Sequence, residues 1–215
     1  MTEPAAFIQP GLFRVVDANG TTLGAISAPL YTALLGADGA AIASAANPLP
    51  VFSASGIVAS ASFTPAAAAY SAADIMDVAK EFAFTMANGQ AVPSGSLIRI
   101  LSSIVKIDET AIISGETSYT LQLYSVTPPS AQADNAAWSL ASGDLTSYRG
   151  AISLGTPVDL GAACYVKSQC IDPVTGLAGI DIKMTGTSLF GELVTVGGFT
   201  ATAIARQVLL YGVVL

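Results

Sequence analysis

The stretch SYTLQLYSV (Ser118 to Val126) restricts the chain more than any other. Tyr119, Leu121 and Leu123 alternate with Thr120 and Gln122. Successive side chains of a strand point to opposite faces, so this spacing lets one face bury while the other meets water or a partner. GIDIKMTG (Gly179 to Gly186) repeats the pattern, with Ile180, Ile182 and Met184 against Asp181 and Lys183. GIVASASF sets Val58 among small neighbours, KEFAFTM puts Phe82 and Phe84 on one side, and SLIRILSSIVKID is long and β-branched. FGELVTVGGF and RQVLLYGVVL close the chain, the last apolar on both faces, as suits a central strand covered on both sides. Turn clusters (MANGQAVPSG, TPPSAQADN, IDPVTG, VGGF) separate the runs. Many short strands between Gly, Pro and Asn turns predict an all-β fold, an antiparallel β-sandwich that is jelly-roll-like, over residues 53–215. Helical spacing is best in YSAADIMDVAKEF (Tyr70 to Phe82), where Ile75, Met76 and Ala79 share a side; the segment fits a bend between strands equally well.

Residues 1–52 read differently. VVDANGTTLG and LLGADGAAIA each carry an Asn-Gly or Asp-Gly turn after an apolar pair, the strongest short hairpin signal. Pro48 and Pro50 then interrupt ladder pairing and force an extended path. The expectation is an extended N-terminal arm, containing hairpins, with little core of its own.

Composition narrows the function classes. Charged residues make up 11% of the chain, against about 25% in ordinary soluble domains, while 52% is hydrophobic and mean hydropathy is +0.62. No apolar run approaches the roughly 18 residues of a spanning helix. MTEPAAF opens with an acid and a proline where a signal peptide needs a basic region and an apolar core. The chain is therefore expected to be neither inserted in a membrane nor exported by the usual route. Much of the apolar excess is alanine, which packs in thin layers, so burial in an oligomer or larger assembly is the simplest way to hide so bland a surface. A net charge of -7, with eight basic residues scattered singly from Arg14 to Arg206, argues against binding nucleic acid.

Catalytic chemistry finds few candidates. The chain has no histidine, which removes the commonest base and every Ser-His or Cys-His pairing. Asp74 and Asp77 are closely spaced acids, read as caps of a short helix; Asp108 and Glu109 are adjacent and would point to opposite faces of a continuing strand. DANG and GADGA are too short and too poor in acids for a calcium loop. VTVGGFTA lacks the lysine of a phosphate loop. Cys164 and Cys170 would lie about 20 Å apart on one strand, beyond disulfide reach, and read as reduced, half-buried residues. No enzyme, metal or cofactor is expected. Trp138 follows a polar loop, with Tyr148 and Arg149 nearby, and reads first as a packing anchor at a sheet edge and second as a platform for sugar.

The order VDANGTTLGA, GADGAAIASAANPLPV, FTPAAAAYSAADIMD, LIRILSSIVKID, SYTLQLYSVTPPSAQADNAAW and a terminal LLYGVVL resembles the small virion accessory proteins of tailed bacteriophages, which decorate capsids or form short head fibres. The resemblance is one of style and segment order over most of the chain. It implies a β-sandwich that trimerises and cements neighbouring major-capsid subunits on the outer surface of the head, made in the host cytoplasm. On that reading the arm lies along a neighbouring subunit, with Leu34, Leu35, Ile42, Pro48, Leu49, Pro50 and Val51 as contacts. Its small side chains allow close backbone approach and its prolines limit the freedom lost on docking. The alternative is a fibre or receptor-binding protein that holds host glycan with Trp138, Asp134 and Asn135.

Overall fold

The computed structural model describes residues 56–215 together with two short strands, β1 (Val15–Val16) and β2 (Thr22–Leu23). These belong to separate units of the chain, divided between Phe52 and Ser53. In the first, Val15 pairs with Leu23 and Val16 with Thr22, antiparallel, as in the first expected hairpin. The second expected hairpin, and all seven arm contacts from Leu34 to Val51, lie outside the described residues.

The second unit is all-β, with antiparallel sheets and no α-helix among the described residues. Its strands are β3 (Gly56–Phe63), β4 (Ala69–Tyr70), β5 (Ile75–Ala83), β6 (Thr85–Met86), β7 (Leu97–Ile107), β8 (Tyr119–Tyr124), β9 (Tyr148–Ser153) and β10 (Val158–Asp159). There follow β11 (Cys164–Gln169), β12 (Ile180–Lys183), β13 (Ser188–Thr195), β14 (Phe199–Thr200) and β15 (Arg206–Val214). The larger sheet runs β10-β11-β7-β15-β3-β6, with β12 continuing the line of β11 along β7; the smaller runs β5-β13-β8-β9. Strands β4 and β14 form a separate pair.

Alternation places the core. Ile57, Phe63, Ile98, Ile100, Val105, Val208 and Leu210 of the larger sheet share one buried cluster with Met76, Phe82, Leu121, Leu123, Leu189 and Leu193 of the smaller. The unit is sandwich-like in this sense. Each fully buried side chain of this size contributes roughly 1.5–3 kcal/mol of transfer free energy. Phe63 and Phe82 meet across the interior at 6.2 Å between ring centroids.

One open reading is decided and one expectation is corrected. Residues 70–82 contain no helix: Tyr70 ends β4 and Ile75 to Phe82 lie in β5, hydrogen-bonded to β13. Ala73 and Asp77 have φ of 68° and 67°, left-handed positions that no α-helix tolerates. Strand β15 is central, between β7 and β3, but its outward residues are only partly covered; Tyr211 is 36% exposed and Leu209 and Val213 are half-buried. The extra residue of β7 near Leu101 makes a bulge opposite Gly212. A Cβ at Gly212 would stand 2.2 Å from the Arg99 carbonyl oxygen, so glycine is required there.

Candidate functional site

The outward side of the smaller sheet carries most of the unusual chemistry. Gln122 and Tyr124 of β8 point there, Gln122 lies opposite Glu192 of β13, and Tyr148 of β9 lies opposite Tyr124. The connection between β8 and β9 folds back along the start of β5. Asn135 N donates to Ile75 O at 2.8 Å, Ile75 N to Ala136 O at 2.9 Å, and Trp138 N to Ala73 O at 2.8 Å. This extends the sheet by a short bridged segment and fixes where the Trp138 ring sits.

Each sugar-contact candidate has a definite place. The Asp134 carboxylate accepts from Tyr70 Oη at 2.7 Å, from Asp77 N at 2.6 Å and from Ala66 N at 3.1 Å. It ties β4 and the connection before it to β5. Asn135 has φ of 62°, a left-handed turn position that asparagine tolerates well, and its side chain is exposed. The Trp138 Nε1–H donates to Tyr124 Oη at 3.1 Å, and Tyr124 Oη donates to Glu192 at 3.0 Å. The half-exposed Trp138 ring rests 6.3 Å from that of Tyr148, whose hydroxyl donates to Gln122 at 2.8 Å. The three are brought to one loop, but Asp134 and the indole N–H already have partners within the fold, and Trp138 is an anchor with one ring face showing.

Beneath that loop lie two acids that sequence reading passed over. Glu192 and Asp144 are both fully buried. Asp144 accepts from Ser130 N at 2.9 Å, and each acid keeps one oxygen, Glu192 Oε1 and Asp144 Oδ2, without a hydrogen-bond partner. Burial pushes the Glu192 carboxyl above its ordinary value and Asp144 adds to the shift, against the donors Tyr124 and Trp138. Burial likewise raises Tyr124 well above the usual phenol range. The only sequence signal was an acid inside an otherwise apolar run, GELVTV.

The other acids serve structure. Asp74 accepts from Ser71 N at 2.5 Å; Asp77 accepts from Thr64 N at 2.8 Å and pairs with Lys80 at 2.9 Å. Asp108 is exposed, whereas Glu109 is buried beside Arg206. Among the described residues no group of three or more Cys, Asp or Glu is arranged to hold a metal ion. Cys164, which opens β11, and Cys170, just past its end, are free; both are fully buried and not half-buried as expected, and burial pushes the Cys170 thiol up to about 11. No helix among the described residues is long and apolar enough to cross a membrane. No protein-family model, curated protein or solved structure matches the chain.

Proposed function

We propose that the chain is a structural virion protein of a tailed bacteriophage, a decoration or cement protein that bridges neighbouring major-capsid subunits on the outside of the head. The observation that carries this reading is strand order. Taking β3, β5, β7, β8, β9, β11 with β12, β13 and β15 as first to eighth, the larger sheet reads first, eighth, third, sixth. The smaller reads second, seventh, fourth, fifth. That alternation supports a jelly roll, the eight-stranded double Greek key used by viral capsid and lectin domains. Low charge and abundant small residues add to it, since such a surface favours repeated contact over solvation. In this proposal the chain forms a homotrimer, and the arm residues Leu34, Leu35, Ile42, Pro48, Leu49, Pro50 and Val51 lie along a neighbour in the trimer or shell. It needs no cofactor, nucleic acid or membrane.

The test is cosedimentation of the purified chain with phage heads that lack it, followed by imaging of the heads. Regular density on the shell and co-pelleting are expected, and a version without residues 1–50 should remain soluble and fail to bind or trimerise. Absence of binding to any head refutes the cement role; unchanged binding by the truncation refutes the arm's part in it.

One observation favours a second reading. The Trp138 and Tyr148 rings stand side by side and half-exposed, and jelly rolls also carry lectin sites. A host-glycan-binding fibre protein would bind a glycan array in a manner abolished by Trp138→Ala.

A further inference from the structure

The sequence scatters its basic residues, but strand register gathers four of the eight on one face. Arg99 and Lys106 of β7, Lys167 of β11 and Lys183 of β12 all fall at outward positions of the larger sheet. The one acid at an outward register position there is Asp181, which holds Arg99 through paired contacts of 2.6 and 2.8 Å. Lys183 donates to the Gly95 carbonyl at the sheet edge. Lys106 and Lys167 are exposed, and among the described residues neither has an acid within ion-pair distance. The middle of the face is apolar. Register sets Lys167, Ile104 and Leu209 in one row and Tyr211 beside Val58 in the next. Beside Lys106 a groove of about 270 Å³ opens, lined by the exposed Asp108, Gln207 and the small residues Ala163 and Ala205.

We infer that this face is where a second copy of the chain docks, presenting its acid-rich surface. Among the described residues away from those cations, Asp77, Glu81, Asp134, Asp159 and Asp172 reach the surface, against Lys80 and Arg149, and Lys80 is already held by Asp77. A copy of this chain therefore carries the complementary charge. At about 3.3 Å rise per residue and about 4.8 Å between strands, the strands of this sheet make a face of roughly 650 Å², near what one partner gives to a standard interface. Face-to-face pairing would set lysines against lysines. The contact is therefore head-to-tail, and such contacts close into rings when the rotation permits. Nucleic acid fits poorly, because the chain carries a net charge of -7 and this face offers only a few separated cations, one of them already held by Asp181. The inference rests on the reading of the chain as an assembling structural protein and supplies the surface that makes its oligomer.

The test is analytical ultracentrifugation of the full chain at tens of micromolar, alone and as the variants Leu209→Asp and Lys106→Glu/Lys167→Glu, with circular dichroism to establish folding. The wild type should sediment as a closed oligomer. Both variants should stay folded and dissociate at least tenfold more readily, while Lys106→Arg/Lys167→Arg should behave as wild type. A monomeric wild type, or charge-reversed chains that keep the oligomer, overturns the inference. So does a monomer that binds a single-stranded oligonucleotide through Lys106 and Lys167. An oligomer that ignores phage heads would sink the cement role alone; a monomer that decorates them would sink this interface alone.

Discussion

The Arg206 guanidinium and the Glu116 carboxylate lie 3.1 Å apart with both side chains withdrawn from solvent. Glu109 stands 3.6 Å from the same nitrogen, the Ile204 carbonyl accepts at 2.6 Å, and the Phe199 ring lies 5.9 Å from the guanidinium carbon. Tyr119 and Thr202 donate their hydroxyls to the two glutamates. One cation thus ties the β7–β8 connection to the segment before β15.

Removing that cation should be costly. Arg206→Met leaves two buried carboxylates with no countercharge, and breaking a buried pair from one side costs about 3–5 kcal/mol. Urea denaturation should show a loss of that size. Glu116→Gln in the same background should restore part of it, because the orphaned charge is then gone. A loss under about 1 kcal/mol would mean the pair does not hold the two connections.

Glu192 predicts the pH dependence. Its folded pKa is raised above the ordinary 4.5 by burial, so near that value the folded chain keeps a proton the unfolded chain has released. The stabilisation by the neutral form is complete below 4.5 and falls as pH climbs through the folded value. Asp144 is the other acid facing this carboxyl, with Tyr124 and Trp138 as its donors. Glu192→Gln cannot ionise. It should match the wild type at about pH 4 and exceed it at about pH 7, as read by denaturant midpoints. A difference that does not change with pH would show that Glu192 ionises in the fold as it does in water.

How legible was this molecule in its sequence? The strict alternation of SYTLQLYSV and GIDIKMTG mapped onto β8 and β12 as strands, but β8 is covered on both faces, since Gln122 and Tyr124 on its outward side are buried as well. The doubly apolar LLYGVV marked the central place of β15, although its outward face is only partly covered. The segment from Tyr70 to Phe82 was ambiguous. Ile75, Met76 and Ala79 have helical spacing, and only pairing with β13 and the left-handed turns at Ala73 and Asp77 decide for strand. The sites were harder to read. Arg206 meets Glu116 across ninety residues, and Trp138 meets Glu192 through Tyr124. The lysine-bordered face exists only once β7, β11 and β12 are in register. Local pattern carries no information about such distant partners.

Asp134 should prove a structural acid. Its carboxylate meets Tyr70 Oη, Asp77 N and Ala66 N, and a donor that loses its acceptor costs about 1–3 kcal/mol where water cannot replace it. Asp134→Ala should lower stability by about that amount and speed hydrogen exchange at the Asp77 amide, with Asp134→Asn milder. A neutral Asp134→Ala that abolished glycan binding would instead favour the receptor reading.

Gly212 makes a steric prediction. An alanine methyl there would meet the Arg99 carbonyl at 2.2 Å and Ile100 Cα at 3.2 Å, backbone atoms that can move only by opening the β7–β15 ladder. Gly212→Ala should cost at least 1–3 kcal/mol, the range of overpacked cores. Gly56→Ala, with nothing within 4 Å, should stay within about 0.5 kcal/mol of wild type. Equal melting curves for the two would refute the bulge.

Salt would separate the forces in the proposed attachment to a phage shell. At about 1 M salt the screening length falls to about 3 Å, so attraction through exposed Lys106 and Lys167 largely vanishes while apolar burial, near 25 cal/mol per Å², persists. Repetition over a symmetric shell multiplies modest contacts into avidity. Decorated heads washed in molar NaCl should therefore keep the protein, whereas the isolated oligomer, which lacks that multiplicity, should dissociate measurably. Trp138→Ala should leave retention on the heads unchanged, because its indole N–H is engaged within the fold by Tyr124. Quantitative gels of pelleted heads provide the measurement. Release of the protein in molar salt would mean that surface charge, not apolar contact, makes the attachment.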